Sequence, residues 1–243
     1  MKTSEFSFMG QQSSAYGVTV QKRPEMVSPA RNFYEGTPSN RNGTVLRDKG
    51  TFADTTMTLV LTYESYRTTK TIDDVIDWLG QYDFHELQLG WDQDYYYMVL
   101  AKSGMSVSPI DYLHTIYSIT WALEVQPYKK YLSGYQTHSG ASLTLVNPSK
   151  YVALPYMNIK GTGGLVLKIS SSEALPGTST SQTYNIANAN GSLVVDSTAV
   201  SISKPTQWNG MQVPYLNIGT NVITVTGTGA SLDIDPHWLR RVG

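Results

Sequence analysis

A chain of 243 residues, 40% hydrophobic and 15% charged, is long enough for one large all-β domain or two smaller ones with real cores. Its formal net charge of −1 lacks the basic field that nucleic-acid binders carry. Without cysteine it has no disulfide framework, no thiolate metal site and no thiol nucleophile.

The charged fraction stands well below the roughly 25% of ordinary soluble domains. With 17 Tyr and many Thr, Ser and Gly, the chain reads as strand-rich, with surface to be covered in an assembly. The opening MKTSEFSFMGQQSSAYG carries no apolar run of secretory-signal length, and no stretch is long enough to span a bilayer as a helix. A soluble chain without a membrane partner is expected.

Glu5–Gly10 (EFSFMG) alternates weakly and predicts a short strand with Phe6 and Phe8 on one face. After the polar turn Gln11–Ala15, Tyr16–Val20 predicts a second. From Gln21 to Gly50 the apolar pattern stops. Pro24, Pro29 and Pro38 interrupt this stretch, and Lys22, Arg23, Arg31, Arg41, Arg47 and Lys49 outnumber Glu25, Glu35 and Asp48. So long an irregular stretch is uncommon in a compact domain unless it is functional. An arm braced against a neighbouring subunit is expected, with a solvated loop as the plainer reading.

Thr56–Tyr63 (TMTLVLTY) predicts a strong strand by its β-branched content. Ile72, Val75, Ile76 and Leu79 then fall on one helical face. Thr71 is placed to cap that helix, Asp73 and Asp74 lie in its first turn, and Gly80 is expected to end it in the left-handed conformation. Glu86–Leu89 and Tyr95–Ala101 read as strands around a Gly90–Asp94 turn. Pro109 opens a loop, and Tyr117–Val125 is a strand with Ile119, Trp121, Leu123 and Val125 on one face. A helix laid on a sheet is the expected core of the N-terminal half.

Pro127–Ser142 has no periodicity and suits a connector. Beyond it come short strand-like runs: Tyr156–Lys160, Gly164–Ser170, Gln182–Ile186, Ser192–Asp196, Thr198–Ser203, Met211–Leu216, Asn221–Thr226 and Ser231–Ile234. Turn signals at Gly161–Gly164, Pro176–Gly177, Asn190–Gly191 and Asn209–Gly210 separate them. That rhythm predicts a β-sandwich.

Candidate chemistry is sparse. His85, His114, His138 and His237 form no local two-histidine motif, and His85–Glu86 starts like a zinc-protease helix but has Leu89 where the second His belongs. Asp92 and Asp94, or Asp233 and Asp235, are spaced as carboxylate pairs that a glycosidase or a calcium site uses; turn and strand-surface roles account for them equally. Gly161–Gly164 (GTGG) lacks the Lys-Ser/Thr of a phosphate loop. Trp78 and Trp121 read as core, and Trp91 and Trp208, near turns, are kept as sugar-stacking candidates. No catalytic, cofactor or metal residue is assigned.

The order of these runs resembles the distal tail protein (Dit) family of long-tailed, non-contractile bacteriophages. FSFMGQQSSAYGV at Phe6–Val18 is similar to the family's opening, and Arg41–Leu46 (RNGTVL) falls at a looser Gly-x-x-Gly-like segment. IDDVIDWLG followed by LQLGWDQDYYYMV at Leu87–Val99 resembles its Trp-Leu helix and Asp-x-Tyr-Tyr strand pair. ALEVQPY at Ala122–Tyr128 and NPSKYVALPYMNIKGTGGLVLKI at Asn147–Ile169 match further runs, with Ser149 at a usual Gly. LNIGTNVITVTGTGASLDIDPHWLRRV at Leu216–Val242 resembles the closing element, with His237 at the customary Arg.

The resemblance implies a mainly β chain: an N-terminal β-rich belt domain with one α-helix over residues 1–132, its extended arm at about 21–50, and a C-terminal galectin-like β-sandwich over 133–243. It implies a homo-hexameric ring at the tail's end, joining the tail tube protein to tail-tip, baseplate and receptor-binding proteins. Phage DNA would cross the central channel only in transit, and the location would be the virion after assembly in host cytoplasm. "Galectin-like" names a fold and not sugar binding. A carbohydrate-binding module using Trp91 and Trp208, and a glycan hydrolase using Asp92 and Asp94, are the alternatives to a non-enzymatic hub.

Overall fold

The structure is a computed structural model that describes every residue except Pro38, Asn40, Arg41 and Met211. The expectations resting on Pro38 and Arg41 in the arm, and on Met211 as the start of a strand, lie outside the described residues. The chain is mainly β with one α-helix among the described residues. It forms two compact units, Met1–Lys129 with Arg241–Gly243, and Lys130–Arg240.

The first unit contains β1 (Phe6–Phe8), β2 (Gln11–Gln12), β3 (Val18–Lys22), β4 (Arg31–Gly36), β5 (Val45–Phe52), β6 (Thr55–Glu64), α1 (Ile72–Leu79), β7 (His85–Leu89), β8 (Tyr95–Leu100), β9 (Ser106–Pro109) and β10 (Ile116–Val125). Its sheet runs β2-β1-β7-β8-β10-β6-β3, with β9 on the flank of β10. The backbone N–H of Val20 in β3 donates to Ser4 O, just before β1, at 2.8 Å, so the sheet curls back toward its own start. Along β6 and β10, residues alternate between core and surface because successive side chains of a strand face opposite ways. Met57, Leu59, Leu61 and Tyr63 meet Ile119, Trp121, Leu123 and Val125 on the buried face.

The helix forms where its residues predict it. Thr71 Oγ1 accepts from Asp74 N, and the Asp74 carboxylate accepts from Thr71 N, a reciprocal capping box that satisfies two otherwise unpaired donors. Val75 and Leu79 are fully buried, each contributing roughly 1.5–3 kcal/mol. Trp78 stacks on Phe6 and Tyr16 at 5.6 and 4.1 Å between ring centres. Gly80 ends the helix at φ −85, not in the left-handed region expected of it. Tyr16, expected in a strand, closes a 3-10 turn over Ser13–Tyr16, and the left-handed residue is Gly17 at φ 65.

After β11 (Tyr128–Tyr131) come β12 (His138–Gly140), β13 (Ser142–Asn147), β14 (Tyr156–Ser171), β15 (Ser181–Asp196), β16 (Ser201–Ile202), β17 (Trp208–Asn209), β18 (Gly219–Asp235) and β19 (Leu239–Arg241). Six of the expected short strands are halves of three long ones. β14, β15 and β18 run straight through Gly161–Gly164, Asn190–Gly191 and Gly227–Gly229, where turns or gaps were expected. These glycines sit side by side: Gly161 faces Gly191, and Thr162 faces both Asn190 and Thr228. The three strands therefore bend along one seam.

On one side of the seam β13 and β17 extend the sheet, and on the other β12 and β16 do. The two halves fold over as the layers of a β-sandwich, closing a core that includes Met157, Ile159, Leu167, Ile169, Ile223 and Ile234. The mainly β reading with one helix and a C-terminal sandwich is thus borne out.

Three local expectations fail here. The Pro127–Ser142 connector holds β11, a 3-10 turn and β12. Thr198–Val200 is a turn because Asp196 Oδ1 accepts from Thr198 N and Ala199 N at 2.9 and 3.0 Å, leaving only Ser201–Ile202 as strand. Residues 212–215 form no strand, and Leu216 makes only an isolated bridge to Ala153.

Candidate functional site

The arm is irregular over residues 23–30 but ordered into strands beyond them. Residues 31–36 and 45–52 form an antiparallel hairpin, β4 with β5, as a two-stranded sheet of its own. Its base is closed by Ala53 N donating to Ala30 O at 2.9 Å. Phe52 anchors that base, with the Arg31 and Arg241 guanidiniums 5.5 and 5.3 Å from its ring centre and Tyr128 edge-on at 6.0 Å. Arg31 also pairs with Asp48. Beyond the anchor the hairpin has no core: Phe33, Tyr34, Val45 and Leu46 are exposed, Tyr34 by 62% and Leu46 by 58%. Among the described residues no third strand pairs with either outer edge, the arrangement that invites pairing with another chain.

A second exposed feature is the loop between β9 and β10, where Ile110, Tyr112 and Leu113 face solvent. Asp111 holds it. Its carboxylate accepts from Thr115 Oγ1 at 2.6 Å and from the backbone amides of Thr115 and Ile116 at 2.9 and 2.7 Å. The Thr115 hydroxyl, followed by the amides, draws the Asp111 carboxyl down to about 2.

The carboxylate pairs do not assemble as sites. Asp92 is tied to Lys129 and to the Tyr97 hydroxyl, while Asp94 is exposed. The Lys129 ammonium lies 4.0 Å from the Tyr95 ring centre and 3.2 Å from Tyr97 Oη. Asp233 accepts from Lys160 and Ser139 at 2.6 and 2.7 Å, whereas Asp235 keeps a buried oxygen with no hydrogen-bond partner among the described residues. Among the described residues no three His, Asp or Glu side chains gather as a metal site.

Both stacking tryptophans are already in use. Trp208 is buried against Tyr184 at 4.8 Å, and Arg23 lies 5.7 Å over the half-buried Trp91. His85 serves packing, with Nε2 2.7 Å from Tyr82 O and its ring edge-on to Phe8. Gly161–Gly164 is part of the strand seam and not a turn. Sequence reasoning singled out the 21–50 arm as a contact but did not read the hairpin within it. It also passed over the exposed Ile110–Leu113 loop, whose signal was large apolar residues in a polar stretch.

A scan of the sequence against protein families finds no match, and a search of curated proteins finds no relative. Solved structures are informative. The fold resembles that of the Dit protein of phage SPP1. The alignment covers 98% of this chain and 98% of that one, at a TM-score of 0.64 and 12% sequence identity. SPP1 Dit is described as a paradigm of the hub adsorption apparatus in phages that infect Gram-positive bacteria. Two structures of the phage P2 baseplate in its activated conformation, with Ca and with Sr, align at a TM-score of 0.42 and 7% identity, over 88% and 91% of this chain and 90% and 91% of theirs. At the level of fold, the Dit resemblance drawn from the motifs is borne out by SPP1 Dit.

Proposed function

We propose that the chain is a structural hub of a phage tail. Six copies close into a ring at the distal end of a long, non-contractile tail, joining the tube to tail-tip, baseplate and receptor-binding proteins. The first unit serves as the belt that forms the ring, and the second as a galectin-like domain turned to partners, with the change of domain near residues 129–132. The DNA crosses the central channel in transit, and the protein resides in the virion. The observation that carries this reading is the alignment with SPP1 Dit over essentially the whole of both chains.

The hairpin supports it. An isolated two-stranded sheet is marginal in water, and this one leaves its apolar side chains and both edges open. Heterologous contacts that close into a ring would cover them. A hub needs no catalytic constellation, and one carboxylate of each pair is engaged by a lysine, Asp92 by Lys129 and Asp233 by Lys160. The sugar-binding alternative loses its stacking residues to Tyr184 and Arg23.

The test is absolute mass by light scattering after size exclusion, with negative-stain images of the peak. A ring of six 26.9 kDa chains, 161.4 kDa, is expected. A chain that stays monomeric both alone and when mixed with tail-tube or tail-tip proteins overturns the reading.

A further inference from the structure

Among the described residues, one face of the paired β4 and β5 strands carries no carboxylate. Register sets Tyr34 opposite Arg47 and Gly36 opposite Val45, so those side chains share a face, while Glu35 and Leu46 alternate onto the other. Lys49 joins the first face, its Nζ 4.6 Å from the Tyr34 ring centre. Because Gly36 brings no side chain, a shallow open groove of about 430 Å3 lies between Tyr34 and Val45, with Arg47 and Glu35 both among its lining residues. Among the described residues Arg47 has no ion-pair partner. An apolar groove beside two cations fits an aromatic tip flanked by carboxylates.

The first unit presents two strongly exposed aromatic tips, Tyr82 at 90% and Tyr112 at 97%. Their neighbours separate them. Asp111 beside Tyr112 is consumed by Thr115 and Ile116. Tyr82 follows α1 next to Asp83, with Asp77 in the helix's last turn, and both aspartates are exposed and, among the described residues, without ion-pair partners. The backbone there is held, since Tyr82 O contacts His85 Nε2 at 2.7 Å.

We propose that the hairpin groove takes Tyr82 from a second copy of this chain, with Asp77 and Asp83 set against Arg47 and Lys49. The contact rests on the ring reading above and names one of its interfaces. Groove and tip are different patches, so every bound copy keeps one of each open for the next, as a head-to-tail ring needs. The charges set orientation and encounter rate, and the buried ring supplies most of the hold.

The chain lacks cysteine, so engineered thiols report without background. Thr37→Cys at the groove and Gln81→Cys beside the tip leave the contact residues in place. Mixed and treated with a short bis-maleimide, the two variants should give a linked dimer that neither gives alone. Adding Arg47→Glu to the Thr37→Cys chain should cut the yield about tenfold, and Asp77→Arg with Asp83→Arg on the partner should restore it. No mixed product, or a yield indifferent to Arg47→Glu, overturns the contact. Mass separates the two readings. A 161.4 kDa ring without the mixed link leaves the hub standing and defeats this interface, and a mixed link with no closed ring, either alone or with tail-tube and tail-tip proteins, does the reverse.

Discussion

Leu165 fills the space that a side chain at Gly227 would need: a Cβ there would lie 2.5 Å from Leu165 Cδ2 and 2.7 Å from the Gly164 carbonyl oxygen. Gly227 also sits at φ +136, a backbone conformation closed to other L-residues. Its neighbour Gly229, at φ +64, faces open space. Gly227→Ala is therefore expected to destabilise the second unit by roughly 1–3 kcal/mol from overpacking, with backbone strain in addition. Gly229→Ala carries the left-handed strain alone, about 1–2 kcal/mol. Thermal unfolding of the two variants, followed by calorimetry, should show the larger loss at Gly227.

That seam also shows why the sandwich was half legible. Glycine and asparagine runs mark places where the chain leaves regular strand geometry, but turn and kink draw on the same residues. Only the register, Gly161 opposite Gly191 and Thr162 opposite Thr228, tells a bend shared by three strands from three separate turns. In the first unit, α1 and β10 were readable because each buries one face and the period of burial is written in the residues. The hairpin buries neither face, so Arg31–Gly36 and Val45–Phe52 carry no period to read. Its pairing is set by the Ala30–Ala53 closure and the Phe52 anchor, which are tertiary facts.

Asp92→Asn should weaken the first unit without touching any activity. The Lys129 side chain is only 12% exposed, and its carboxylate partner is the side chain this change neutralises. A fully buried cation left alone costs about 3–5 kcal/mol; with the exposure that remains here, about 1–3 kcal/mol is expected. Asp94→Asn, at an exposed turn position, should fall within about 0.5 kcal/mol of the parent. Urea unfolding of both variants checks the order, and equal effects would break the assignment of Asp92 to a structural pair.

Acid should loosen the second unit through His237. Its ring stacks on Tyr135 at 4.5 Å, and burial holds its imidazole below the ordinary 6.5, with Asp235 and Asp196 pulling the other way. A lowered value means that the unfolded chain takes the proton more readily. The stabilising contribution is therefore complete above about pH 6.5 and is lost as pH falls through the lowered value. His237→Asn keeps a residue that tolerates the observed φ of 57 and removes the titration. Melting temperatures from pH 7 to pH 5 should decline less steeply in this variant than in the parent.

Excision of the hairpin separates folding from assembly. Ala30 O and Ala53 N already meet at 2.9 Å, so a two-residue Gly-Ser link can replace Arg31–Phe52 with little disturbance to the curled sheet. The core residues of the first unit lie outside the excised segment, so its melting temperature should stay within a few degrees of the parent. Ring formation should be lost, leaving a particle near the monomer mass on light scattering, because the exposed Tyr34, Val45 and Leu46 and both free strand edges go with the hairpin. A folded variant that still closes into rings would transfer the assembly role to other surfaces, with the Ile110–Leu113 loop the next to truncate. An unfolded variant would instead make the hairpin part of the unit's own stability, against the exposure of nearly every residue in it.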